Sequence, residues 1–483
     1  MKIPLVVWFA GAASAFALAV AAGAPATVSA NQALADSLNR IRATAMSSDW
    51  AWRRLSELTD RIGPRPAGSL QQAAAIAEVA AAMKALGAKV TLLPTKVPHW
   101  VRGEERAELT DYPGRPAGLT QRLHLTALGG SGATPAAGYE ARVIVVNNLD
   151  ELHARAAQVR GNIVLFNSRF DQRLADNGQA GTAYGQAGKY RTHGPAEAAS
   201  LGAAVALVRS IGGAEYRLPH TGATVWNEHQ APIPAAALAA EDADLILRLA
   251  VQGNVTMKIL LTPATLPDAD SFDVIADWPG TELPDEYVIV SGHLDSWDLG
   301  TGATDDGVGV MGAAGVVEVL QQLQLHARRT IRFIGWADEE NGGHGPKAYL
   351  ASASGAVNKQ CAAIESDMGA GRLLGIEAAV AKESLASLQP VMHALVPLGA
   401  TVLAAREGEV GSDIAPLQAA GVPGFAPLTD TRHYFDYHHT AADTLDKIDP
   451  ANLQMHVAAM ASLAYFLANT ERCIPGIKSA TED

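Results

Sequence analysis

Acids and histidines recur in five short runs of the C-terminal half: "HLDSWD" from His293, "TDDG" from Thr304, "ADEEN" from Ala337, "ESDMG" from Glu365 and "YHHTAADT" from Tyr437. Imidazole and carboxylate are ligand types that suit zinc, and a catalytic zinc site keeps one position open for water. Carboxylates crowded together repel one another unless cations neutralise them. His293, Asp295, Asp305, Glu339, Glu340, Asp367 and His439 are therefore candidates for a divalent-metal centre. Taken singly, each has a plainer reading, since a lone histidine or a "DEE" is usually structural or solvated. Their repetition at comparable places makes that reading a chain of accidents.

A literal G-x-G-x-x-G, made by Gly307, Gly309 and Gly312, sits beside these residues. Alone it is weak evidence for a dinucleotide site. A pyrophosphate at this helix start would meet Asp305 and Asp306, where the helix dipole alone would welcome it. The stretch "HLDSWDLGTGATDD" also separates the glycines from the preceding strand. The three glycines are better read as allowing close helix packing.

Those candidates need elements to position them. "EYVIVSG" reads as a buried strand running into His293 and Asp295, "RTIRFIGWA" as a strand running into Glu339 and Glu340, and "CAAIESD" as a strand delivering Asp367. Between them "GVGVMGAAGVVEVLQQLQ" and "GPKAYLASAS" read as helices, and "NLQMHVAAMASLAYFLANTE" as a closing amphipathic helix. The alternation predicts an α/β fold with a mixed, largely parallel central sheet flanked by helices. In such sheets function gathers at the carboxyl ends of the strands. Upstream, helical spacing runs to the turn "GPRPAGS", Ser69 caps a further helix that Gly87 stops, and "AKVTLLPTKVPHW" is extended. From about Gly130 short β-rich runs ("ARVIVVNNL", "GNIVLFNSR", "AAVALVRSIGG", "VTMKILLT") carry no evident ligand cluster and predict a separate inserted domain. The expected organisation is a signal peptide over 1–30, the N-terminal part of the main domain over 31–129, an insertion over 130–265, and the main catalytic part over 266–475.

Length and composition set the bounds. The chain has 483 residues, 48% hydrophobic and 18% charged, which suits an ordered protein of two or three domains. A net charge of -13 argues against nucleic acid or an anionic membrane as the main partner. Lys2, an apolar run and "VSA" at Val28–Ala30 have the form of a cleavable export signal, implying a secreted or periplasmic protein free of the membrane once cleaved. An oxidising compartment permits a bridge between the two cysteines, Cys361 and Cys473, although spacing alone does not establish one.

The motifs "GHLDSWDLGTGATDDGVG", "WADEENGG", "ESDMGA", "GSDIAPLQAAGVPG" and "YHHTAADT", in this order, resemble those of the dinuclear-zinc aminopeptidases and glutamate carboxypeptidases. "LTDRIGPRPAGS" resembles the usual opening of that family, and "GNIVLFNSR", "GAAVALVRS" and "IPAAALAAEDA" resemble a protease-associated domain. The resemblance implies two zinc ions, with Asp305 bridging them, His293 and Asp367 completing one site, and Glu340 and His439 the other. It implies that Asp295 orients His293, that Glu339 is the general base, and that the Asp305–Asp306 peptide is cis. The implied substrate is a peptide or dipeptide with a free α-amino group, hydrolysed by metal-activated water. Relatives are often dimers, which leaves a homodimer open. Around this set, His438 reads as outer to the ligands, Ser412 and Asp413 as shaping the rim, and His344 as a surface group. Tyr434 divides between an oxyanion donor and a packing residue, and Trp297 between pocket wall and core. Two alternatives share the fold: a single-zinc enzyme resembling glutaminyl cyclases, and a non-catalytic receptor or binding protein. The full ligand set and base argue against both.

Overall fold

A computed structural model of the protein describes residues 30–213 and 216–477. The expected signal segment lies outside the described residues except for its last position. No helix among the described residues is long and apolar enough to cross a membrane.

The chain begins with helices Ala30–Ala45, Trp50–Glu57 and Leu70–Ala85. The Ser69 hydroxyl caps the third, accepting from the Gln72 N–H at 3.0 Å, and Gly87 ends it in a left-handed conformation at φ 88°. Sixteen strands follow among the described residues. β1 (Lys89–Val101) belongs to the first sheet. β2 (Glu105–Asp111), β3 (Gln121–Leu123), β4 (Leu125–Ala127), β5 (Tyr139–Val146), β6 (Ile163–Phe166), β7 (Val205–Arg209), β8 (Ala235–Leu238) and β9 (Thr256–Leu261) form a second sheet. The chain then returns to the first with β10 (Ala264–Trp278), β11 (Leu283–His293), β12 (Arg329–Trp336), β13 (Gln360–Glu365), β14 (Leu373–Ala379), β15 (Val402–Ala405) and β16 (Gly424–Thr429).

The first sheet has the order β1-β10-β12-β11-β13-β16-β14-β15. Its centre is parallel, β12 with β11, β11 with β13, and β13 with β16, while β1, β10 and β14 pair antiparallel with inner neighbours. This is the mixed, helix-flanked α/β architecture expected. β10 follows directly from the last strand of the second sheet. The second sheet, β3-β2-β9-β5-β6-β7-β8-β4, also takes in the strands between 105 and 127, upstream of the expected start at 130, because β2 pairs along β9.

Helix Val308–Leu323 lies in the first sheet's core, buried without interruption from Val308 to Leu320. It joins the core that contains helix Pro450–Asn469 and residues of β11, β12 and β13. A side chain at Gly309 would put Cβ 1.8 Å from the Ser366 carbonyl oxygen and 2.2 Å from the Asp306 carboxylate, so only glycine lets the helix start this close to β13. At Gly312 nothing lies nearer than 3.7 Å. The close packing read into all three glycines thus holds at Gly309 and not at Gly312. Cys361, in β13, forms a disulfide with Cys473 beyond the last helix, with Cα atoms 5.0 Å apart.

Candidate metal centre

β11 is the switch point of the first sheet. The chain passes from it to β12 on one side and then crosses to β13 on the other, and crevices form beyond the carboxyl ends of strands where the order reverses. His293 ends β11, Glu339 and Glu340 follow β12, and Asp367 follows β13. The turn before helix Val308–Leu323 brings Asp305 to the same rim, and the segment after helix Tyr434–Tyr437 brings His439.

Two imidazoles organise the cluster in the same way. His293 Nδ1 lies 3.1 Å from the Asp295 backbone carbonyl, while Nε2 faces Asp305 Oδ1 at 3.2 Å and Asp367 Oδ1 at 3.4 Å. His439 Nδ1 lies 3.2 Å from the Thr221 carbonyl, while Nε2 faces Asp305 Oδ2 at 3.1 Å and Glu340 Oε2 at 2.9 Å. A carbonyl only accepts, which favours a proton on each Nδ1, although Arg191 Nη1 also lies 3.4 Å from His439 Nδ1, and in that neutral tautomer each Nε2 presents a lone pair. A lone pair aimed at two carboxylates repels them unless a cation stands between. His293, Asp367, Asp305, Glu340 and His439 therefore fit a metal-holding set, with Asp305 using one oxygen toward each imidazole. Glu340 Oε1, buried and without a hydrogen-bond partner among the described residues, fits the same account.

Backbone anchors hold these carboxylates in place. Asp295, expected to orient His293, meets its Nδ1 at 3.1 Å through the main-chain oxygen, while its carboxylate stands 3.6 Å away. That carboxylate accepts instead from the N–H groups of Glu339 at 3.0 Å and Glu340 at 3.2 Å. Asp443 Oδ1 accepts from the Thr304 N–H and hydroxyl, both at 2.6 Å, and Oδ2 from the Asp305 N–H at 3.3 Å. Asp306 accepts from the N–H of His293 at 3.1 Å and of Gly309 at 3.0 Å, tying β11 to the helix start. The Asp305–Asp306 peptide is cis. Ser412 donates to Asp367 Oδ2 at 3.3 Å.

Electrostatically the site is strained toward negative charge. Burial and neighbouring acids push the Glu340 and Glu365 carboxyls up to about 7 and Asp443 up to about 6. Burial, with Asp367 and Glu340 adding to it, holds Glu339 well above the usual carboxylate range. For His293, burial disfavours the cation, yet Asp295, Asp305 and Asp367 outweigh it and hold the imidazolium well above its usual range. Arg65 is a fully buried cation near the site, and its guanidinium donates to the carbonyls of Gly63, Leu294, Thr301 and Gly302.

The surrounding residues divide clearly. His438 stacks on His439 with ring centroids 3.6 Å apart, and its Nε2 also reaches Asp305 Oδ2 at 3.2 Å. Asp413 is buried, with neither carboxylate oxygen hydrogen-bonded among the described residues. Tyr434 packs on Phe435 and His438, and Trp297 meets His439 edge-on. His344 is partly exposed and pairs with Asp338 at 2.5 Å. A cavity of about 420 Å³ opens on Glu339, Ser412 and Asp413, and another of about 250 Å³ is lined by Trp100, Trp297 and Asn341.

Several participants escaped the sequence reading. Asp443 stands inside the quoted "YHHTAADT" and Arg65 inside "GPRPAGS", so both were visible as charges in motifs. Thr221 and His220 had no such signal. The second-sheet segment shows no ligand cluster in sequence, yet it places His220 Nε2 3.2 Å from His438 Nδ1 and the Thr221 carbonyl on His439.

A mixed α/β sheet with this centre at its switch point is the framework of a metallopeptidase. Residues 273–464 match the model of peptidase family M28. Human carboxypeptidase Q is 35% identical over 430 residues, spanning 88% of this chain and 86% of its own. The structure of a peptidase M28 precursor from Shewanella amazonensis superposes with a TM-score of 0.85 at 35% identity, covering 92% of this chain and 98% of that one. A zinc aminopeptidase from Bacillus subtilis shares the fold at TM-score 0.63 and 18% identity, covering 88% and 97%. The chain belongs to peptidase family M28.

Proposed function

We propose that the protein is an exported dinuclear-zinc exopeptidase that removes N-terminal residues from peptides or dipeptides. The observation that carries the reading is the matched pair of imidazoles, each with Nδ1–H on a backbone carbonyl and Nε2 aimed at carboxylates. His293 and Asp367 would hold one ion, Glu340 and His439 the other, and Asp305 both. Zinc in such a site supplies Lewis acidity to the scissile carbonyl and acidifies water.

The chain's own groups supply the rest. Glu339, on the backbone anchored by Asp295, takes the proton of the attacking water and returns it to the leaving amine. Glu339 and Glu340 lie in the turn after β12 and serve different ends, Glu340 facing His439 and Glu339 bordering the cavity. Ser412 and Asp295 hold Asp367 and the Glu339–Glu340 segment in place. Peptide would enter by the cavity bounded by Glu339, Ser412 and Asp413. Export is supported by the form of residues 1–30 and by the Cys361–Cys473 bridge, and the second sheet is read as a protease-associated domain. The name of the B. subtilis neighbour supports zinc as the metal.

Two measurements test this. On a panel of peptides with free or acetylated N-termini, only free ones are expected to be cleaved; equal cleavage of blocked peptides would defeat the exopeptidase reading. Glu339→Gln is expected to lower kcat by about 10²–10⁴-fold while zinc content stays at the wild-type level. Wild-type turnover in that variant would remove Glu339 as the base.

A further inference from the structure

His439 is oriented by a residue from outside the first sheet. The Thr221 carbonyl stands 3.2 Å from His439 Nδ1, and the Thr221 N–H donates to the His439 carbonyl at 2.9 Å. Thr221 lies between β7 and β8 of the second sheet, so that sheet grips His439 at two points and directs Nε2 toward Asp305 and Glu340. The seat of Thr221 is in turn built. Its hydroxyl donates to the Ala127 carbonyl at 2.9 Å and accepts from Arg102 Nη2 at 3.3 Å.

Arg102 occupies the three-residue link between β1 and β2, where the chain leaves the first sheet for the second. Only 10% of its side chain is exposed. It forks onto Asp298 with Nε at 2.7 Å and Nη2 at 2.6 Å. Its Nη1 donates to the Ala127 carbonyl at 2.6 Å, the Thr126 hydroxyl at 2.5 Å and Glu105 at 3.0 Å. Asp298 sits in the loop after β11 that also carries Asp295 and Trp297. One guanidinium thus joins a metal-centre loop of the first sheet to the strand and hydroxyl that seat Thr221. Planar, two-nitrogen recognition of a carboxylate is what arginine does and lysine does not. From below, Arg191 packs against Gly222, where a Cβ would come within 2.3 Å of Nη1, and that nitrogen lies 3.4 Å from the Thr221 carbonyl.

We propose that Arg102 and Thr221 are positioning residues of the metal centre: they latch the second sheet onto the first so that the Thr221 carbonyl holds His439 in its metal-binding tautomer. The proposal rests on the reading of His439 as a ligand. Groups that hold a metal-binding histidine in orientation typically change metal affinity 10- to 100-fold when lost.

The test is zinc release from the full-length protein into a graded series of chelator, with the folded fraction followed by circular dichroism. Arg102→Met and Thr221→Val are each expected to weaken, by about 10- to 100-fold, the zinc that is lost in His439→Ala, leaving the remaining release unchanged. Thr221→Ser, which keeps the hydroxyl, is expected to release zinc as the wild type does. If both variants melt at lower temperature but release zinc as the wild type does, the contacts are only structural and the proposal falls. If His439→Ala itself binds zinc normally, the ligand reading fails and takes this proposal with it. If His439→Ala loses an ion while Arg102→Met and Thr221→Val keep it, only the latch is wrong.

Discussion

Asp295 illustrates how one residue serves two ends by dividing its atoms between backbone and side chain. Its carbonyl fixes the tautomer of His293, and its carboxylate binds the N–H groups of Glu339 and Glu340. Removing the carboxylate leaves the N–H donors of Glu339 and Glu340, the proposed base and a proposed ligand, without acceptors, and a buried unsatisfied donor costs about 1–3 kcal/mol. Asp295→Ala is therefore expected to lower both the melting temperature and the zinc content, because Glu340 is no longer held. Asp295→Asn keeps an acceptor oxygen and is expected to fall between the two. A variant with unchanged stability and full zinc occupancy would show that the Glu339–Glu340 segment needs no such anchor.

Among elements, helix Val308–Leu323 is the one whose placement the centre depends on. It starts three residues after Asp305, its Gly309 N–H donates to Asp306, and Asp306 accepts from the N–H of His293. Gly309→Ala would drive Cβ into the Ser366 carbonyl, so the helix start must shift. Overpacking of this kind costs about 1–3 kcal/mol, and zinc content should fall with it. Gly312→Ala has room and gains up to about 1 kcal/mol of helix propensity. Thermal unfolding of the two variants is expected to move in opposite directions. Parallel destabilisation by both would show that the helix–sheet contact, and not the Gly309 site alone, is tight.

For the whole molecule, the acid-rich centre ties stability to metal and pH together. Glu340 and Glu365 are held near 7 and Asp443 near 6, above the 4.5 and 3.8 of free glutamate and aspartate. A carboxyl whose folded pKa is raised contributes stability below its unfolded value and loses it as pH rises through the folded one. His293 and His439, both raised well above 6.5, lose their contribution only as pH rises beyond 6.5, while His220 and His438, held well below 6.5, and His456, lowered to about 4, act in the opposite sense. The raised carboxyls outnumber the lowered histidines, so the metal-free protein is expected to lose stability as pH rises from about 4 to about 7, and to lose more above 7 as His293 and His439 give up their protons. Added zinc should raise the melting temperature most at the alkaline end of that window, where the carboxylates are ionised. Calorimetry of chelator-treated protein across this range reads it directly; a metal-free melting temperature that rises steadily with pH would contradict the account.

What the sequence determined by itself was local and chemical. Alternating buried strands and helices follow from hydrophobic pattern, and strand ends put His293, Glu339, Glu340 and Asp367 on one rim because parallel strands share a direction. Asp305 and His439 were legible only with the help of ordered motifs, since nothing in their own spacing aims them at that rim. β10, fifteen residues beginning "ATLPDADSFD", was not read as a strand: its first half is largely exposed and polar, and pairing with β1 decides it. Only the tertiary structure brought Thr221, Arg102 and His220 to the centre, because they arrive from the second sheet's loops and from the link between the sheets, and a linear pattern carries no period for such packing. The candidate ligands were written along the chain, while the contact that holds His439 toward them comes from more than two hundred residues away, of the kind only folding can choose.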